Sequence, residues 1–147
     1  MMQLANELRS EIDSSLVRLR QLSESDATRD RGPGKWIRKE ILGHLIDSAA
    51  NNHQRFLRAQ FEDPFVGPGY DQDAWVALQK YRNRSWREIT ETWAAINGQV
   101  AYAMESVPES KLKTSCIIGK NAPAPLEWWM KDYLVHMRHH LAQIFES

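Results

Sequence analysis

Three of the chain's five histidines fall in one short stretch, Asp132–Ile144 (DYLVHMRHHLAQI). At about 100° per residue this stretch reads as a helix, with Trp129, Tyr133, Met137, Leu141 and Ile144 forming one apolar stripe. His136 and His140 flank that stripe on its core-facing side, whereas His139 points well away from it. A His-x3-His pair stacks two imidazoles one turn apart, close enough to share one metal ion. Two ligands do not complete a site, so a third must come from elsewhere in the chain.

The candidates are His44 and His53, both in the segment from Trp36 to Phe61. Nine residues apart, they lie on opposite flanks of that helix, and the wheel alone does not choose between them. Their neighbours differ: His53 sits among Leu42, Ile46 and Leu57, while His44 shares its flank with Ser48, Asn51 and Arg55. A polar row beside an apolar stripe suits the wall of a cavity that orients a ligand. It also suits a solvated edge. The polar row favours a trio of His44, His136 and His140, and Asp47, one turn after His44, is placed to orient a ligand or take a proton. Three neutral imidazoles suit zinc, nickel or another borderline divalent ion, with positions left for water. Such an ion lowers the pKa of a bound water or activates a thiol. Spacing alone does not make them ligands, because a His-x3-His pair is more often plain surface or core histidine. Rival metal patterns are absent: there is no His-Glu-x-x-His and no Glu-x-x-His pair.

The elements that must position these residues are helical. Leu4, Leu8, Ile12, Leu16 and Leu19 mark an amphipathic helix from Gln3 to Leu22. Ser23–Lys35, charged and holding Gly-Pro-Gly, is expected to be a loop. In the Trp36–Phe61 helix the stripe is Ile41, Leu45, Ala49 and Phe56, with Asn52 an unexplained polar member. Pro64, Gly67, Pro68 and Gly69 break the chain before a short helix over Gln72–Tyr81. Ser85-Trp86-Arg87-Glu88 has the form of a capping box opening a helix through Ile89, Trp93, Ile96, Val100 and Met104. That helix should stop before Pro108. Lys111–Pro125 lacks helical periodicity and is an irregular crossover or a short hairpin around Cys116, Ile117 and Ile118. Pro125 is expected in the first turn of the last helix. Four long amphipathic segments with no convincing strand predict an all-α four-helix bundle with long connections, in a single domain over residues 1–147.

Composition limits the function. Nineteen basic and nineteen acidic side chains give zero formal charge, so neither nucleic acid nor an anionic membrane is an expected partner. One cysteine, Cys116, excludes an internal disulfide and an all-cysteine zinc site, and it is expected to be an unreactive thiol. With no secretory pattern and no long apolar run, the expectation is a cytoplasmic protein acting on a small molecule. The six tryptophans are expected mainly in the core, with Trp128 and Val135 on a face suited to a homodimer.

The sequence resembles the DinB/YfiT family of four-helix-bundle metalloenzymes. The resemblance is carried in order by Trp36, HLIDS (His44–Ser48), Arg55-Phe56, Tyr70-Asp71, Trp75 and VHMRHHLAQI (Val135–Ile144). It implies that the family's three metal-binding histidines fall on His44, His136 and His140, leaving His53 and His139 without a metal role. It also implies an up-down-down-up bundle, frequent dimerisation, and nickel or zinc as the metal. Some relatives are S-transferases or isomerases using a low-molecular-weight thiol; others are classed as metal-dependent hydrolases. Either activity, or a non-catalytic metal-binding or stress-response role, is compatible with the resemblance.

Overall fold

The computed structural model describes residues 1–146. Four long helices carry the architecture: α1 (Met2–Gln21), α3 (Arg38–Arg58), α5 (Trp86–Ser106) and α6 (Leu126–Phe145). Two short ones, α2 (Glu24–Thr28) and α4 (Gln72–Gln79), lie in the connections. Helix α5 packs against α1 and α3, and α6 closes the ring against α3 and α1.

Contacts between helix ends fix the directions. Arg9 near the start of α1 pairs with Glu105 near the end of α5, while Trp86 Nε1 at the start of α5 donates to the Leu19 carbonyl at 2.9 Å. Helices α1 and α5 are therefore antiparallel. Glu24 meets both Lys39 at the start of α3 and the Trp86 backbone N–H at the start of α5, so these two run parallel. Arg38 at the start of α3 donates to the Ile144 carbonyl at the end of α6, which makes that pair antiparallel. The order is up-down-down-up, as the resemblance implies.

Helix α3 is the centre of the molecule. Every residue from Ile41 to Ala49 is buried, because α4 and the turn after it cover the face that α5 and α6 leave open. Asn52, unexplained in the sequence, donates from Nδ2 to the Ser48 carbonyl at 2.9 Å and lines a cavity beside the helix. Buried apolar side chains of all four long helices join one cluster, with Trp93 fully enclosed. Trp128 and Val135 stay exposed on α6.

Several local expectations need correction. The Ser23–Lys35 stretch contains α2, held by a reciprocal capping box between Ser23 and Asp26. At Ser85 only half of the expected box forms: its side chain accepts from the Glu88 N–H, while the Glu88 carboxylate pairs with Arg84. Pro125 is the residue before α6, not part of its first turn. A small sheet also exists. β1 (Phe65–Gly67) pairs in parallel with β2 (Ser115–Ile118), and β3 (Ala124–Pro125) pairs antiparallel with β2, so the hairpin around Cys116 forms. Gly119 ends β2 with φ +57°, and a Cβ there would meet the Gly69 backbone nitrogen at 3.1 Å. These strands tie the α3–α4 and α5–α6 connections together at the end of the bundle remote from Arg38.

Candidate metal centre

The antiparallel α3–α6 pair sets the site. Arg38, 3% exposed, donates through Nε to the Ile144 carbonyl (2.8 Å), through Nη2 to the Glu146 carbonyl (3.2 Å) and through Nη1 to the Asp26 carbonyl (3.1 Å). A guanidinium here satisfies carbonyls that the end of α6 leaves open and complements its dipole. The clamp fixes the register six residues before His44 and four after His140.

In that register His44 from α3 faces His136 and His140 from α6. One ring nitrogen from each lies within 4.8 Å of the others, and His44 Nε2 stands 3.2 Å from His136 Nε2. Nitrogens about 2.0–2.1 Å from a tetrahedral zinc lie roughly 3.3–3.4 Å apart, so this pair already has the separation of two ligands on one ion. Burial, with the neighbouring imidazoles adding to it, lowers the His44 pKa to about 3 and that of His136 to about 4. The pKa of His140 is lowered too, mainly by burial, against an opposing hydrogen bond to Gln143. Neutral imidazoles with free lone pairs are the form that metals bind, so this donor set fits a borderline divalent ion. The other ring nitrogen of His44, Nδ1, is buried and has no hydrogen-bond partner among the described residues.

Two side chains missed in the sequence support the cluster. Gln143 Oε1 lies 2.9 Å from His140 Nδ1. That contact places the proton on Nδ1 and leaves Nε2 free to bind. Gln143 Nε2 in turn reaches exposed His139 Nε2 at 3.4 Å, so His139 touches the site only at one remove. The Trp36 ring covers His44 with 5.0 Å between centroids. A glutamine three residues after a ligand histidine is one signal the sequence offered. Replacing Gln143 with alanine is expected to weaken zinc affinity about 10–100-fold with little change in melting temperature. Competition against a chromophoric chelator measures this, and unchanged affinity would remove Gln143 from the site.

The other named residues separate. His53 takes no part in the cluster. Asp47 is 1% exposed and makes no hydrogen bond to the three histidines among the described residues. Its Oδ1 accepts from Tyr81 Oη (2.7 Å) and Gln79 Nε2 (3.2 Å), and burial raises its pKa despite those bonds. The structure thus commits Asp47 to the segment carrying α4. Cys116 is buried, with its pKa raised to about 11 by burial and by Asp63, which keeps it a thiol.

Two cavities open beside the cluster. One, of about 190 Å³, is lined by His44 and His136 together with Ser48, Arg55, Tyr70 and Asp132. The other, of about 400 Å³, reaches His140 past Trp36, Arg31 and Lys35, and Gln72 borders both.

Residues 7–144 match the family model of the DinB superfamily. The chain belongs to the DinB superfamily. The fold is similar to that of YfiT from Bacillus subtilis, described as "a probable metal-dependent hydrolase with an unusual four-helix bundle topology". It superposes with a TM-score of 0.79 at 21% identity, over 99% of this chain and 82% of that one. A curated relative from Oceanobacillus iheyensis, named "Putative metal-dependent hydrolase", is 24% identical over 123 residues, 84% of this chain and 70% of its own. The DinB fold expected from the sequence is therefore present, with its three-histidine cluster on α3 and α6.

Proposed function

We propose that this chain is a metal-dependent enzyme in which His44, His136 and His140 hold a divalent ion, zinc or nickel, and that it acts on a small molecule at an electrophilic carbon. The observation that carries the proposal is the convergence of three imidazoles, one buried and two half-buried and each with a lowered pKa, on one point. Hydrolysis is the leading reaction, in line with the names of the Bacillus and Oceanobacillus relatives. A bound ion of this kind supplies Lewis acidity, which makes a water or thiol a stronger nucleophile near neutral pH.

The chain's own residues prepare the site. Gln143 holds the His140 tautomer, Trp36 keeps bulk water off His44, and Arg38 keeps α3 and α6 in register. Proton handling falls to groups that border the cavity, Tyr70 and Asp132, in preference to Asp47, which is buried outside the cavity lining and bonded to Tyr81.

Transfer to a low-molecular-weight thiol is a second reading, supported by the two cavities that meet the cluster from different sides and so offer room for two reactants. The thiol would come from outside, since Cys116 is buried and protonated. Cobalt-substituted protein separates the two: a thiolate-to-cobalt absorption band on adding a small thiol supports transfer, and its absence leaves hydrolysis.

The deciding experiment is metal content by mass spectrometry, for the untagged protein and for His136→Ala/His140→Ala. Near-stoichiometric zinc or nickel, lost in the double variant, is the expected result. Metal absent from both after zinc and nickel are supplied would defeat the enzyme proposal and leave a metal-free helical protein.

A further inference from the structure

The 190 Å³ cavity has a charged far end that the metal chemistry does not use. Along α3 its wall runs from His44 through Ser48 and Asn52 to Arg55, and along α6 from His136 back to Asp132 and Trp129. Arg55 lies eleven residues beyond His44, about 16 Å along the helix axis at 1.5 Å per residue, and its side chain leans back toward the N-terminus. A guanidinium has five N–H donors. Among the described residues Arg55 uses one of them, Nη2 to the Pro68 carbonyl at 3.1 Å, and forms no ion pair. Its cationic carbon sits 5.8 Å from the Tyr70 ring centroid, which holds the group against the cavity wall. Burial lowers its pKa, yet it stays charged at any ordinary pH. A partly desolvated cation with unspent, fork-shaped donors is a receptor for a planar anion.

We propose that Arg55 is the anion subsite of this cavity, and that the substrate carries a carboxylate which Arg55 binds while the reacting end lies at the histidine cluster. This rests on the proposed role of that cluster as the reacting centre. A carboxylate fits better than a phosphate for two reasons. Asp132 lines the same cavity, one turn from His136, and repels a dianion more than a monoanion. The volume also corresponds to only about six waters at roughly 30 Å³ each, which suits a short acid.

The test uses metal-free protein, so that no carboxylate can bind through an ion, with arginine side chains labelled for NMR. Butyrate, butyramide and inorganic phosphate are titrated in turn, and the Arg55 Nε–H signal is assigned by its loss in Arg55→Lys. Butyrate is expected to shift that signal and to bind at least about tenfold more tightly than butyramide and more tightly than phosphate. Arg55→Met, which keeps length and loses charge, should lose the same factor or more. Equal binding of acid and amide, tighter binding of phosphate, no saturable binding of butyrate, or unchanged binding by Arg55→Met would each overturn the proposal. Should Arg55→Met fail to fold, the wild-type titration still decides. Because metal content is measured separately, failure here is distinguishable from failure of the metal site.

Discussion

Acidifying the metal-free protein from pH 7 to pH 5 is expected to cost as much as about 2 kcal/mol for each of His44 and His136. Their folded pKa values, about 3 and about 4, lie below the ordinary histidine value near 6.5. The unfolded chain therefore takes up protons as pH falls through about 6.5, while the folded cluster resists until far lower pH. Stability is full above that window and drains away below it. The lowered carboxylates of Glu24, Asp26 and Glu127 work in the same direction but only below their unfolded values, so they contribute little above pH 5. Asp47 opposes the trend: its raised pKa means stability is lost as pH rises. For a chain of this size each kcal/mol moves the melting temperature by roughly 2–4 °C, so the combined drop is measurable by thermal unfolding at stepped pH. His136→Ala/His140→Ala should flatten the slope, whatever its starting stability. Excess zinc at pH 7 should raise the wild-type midpoint alone, by about 4 kcal/mol of added stability at a thousandfold excess over Kd. A variant with the wild-type pH slope would show that these histidines do not form a partly desolvated neutral cluster.

The cluster was legible because its parts are local. His136 and His140 are one helical turn apart in the sequence, and Ser48 and Arg55 of the polar row do line the cavity, although Asn52 and not Asn51 lies between them in its wall. The long helices announced themselves through apolar spacing for the same reason. What escaped was nonlocal. Strands of two to four residues carry no usable period, and β1 exists only because Phe65–Gly67 meets Cys116–Ile118 about fifty residues later. Arg38 and Lys39 open α3 as ordinary surface cations in the sequence, yet both are buried at ends of other helices. Asp47 follows the same logic. Its spacing from His44 suggested partnership, but the partner is decided by Tyr81, which the chain brings back after α4.

Gly43→Ala is expected to destabilise the protein, because overpacking of this kind costs about 1–3 kcal/mol against the helix-propensity gain of about 1 kcal/mol that alanine brings to a helix interior. An added Cβ at Gly43 would lie 2.2, 2.4 and 2.6 Å from Cδ2, Cγ and Cε2 of Tyr81. These atoms belong to the root and body of a rigid ring, so no flexible tip can swing aside. Tyr81 is 1% exposed, tied by its hydroxyl to Asp47 and flanked by Arg84 at 5.1 Å from the ring centroid. Relief requires moving α3 or expelling Tyr81, and expulsion also strips a hydrogen bond from a buried carboxyl, about 1–3 kcal/mol. Tyr81→Phe, which removes the hydroxyl and keeps the ring, should cost only that second part. Combining Gly43→Ala with Tyr81→Leu should be clearly less damaging than the sum of the two, because they share one contact. A neutral or stabilising Gly43→Ala would mean that helix propensity outweighs the contact. The consequence reaches the site through the chain: Tyr81 anchors the segment that begins with Tyr70 and Gln72, which wall the cavity beside His44. Loosening that anchor should therefore weaken ligand binding in the cavity while leaving α6 and its two histidines in place.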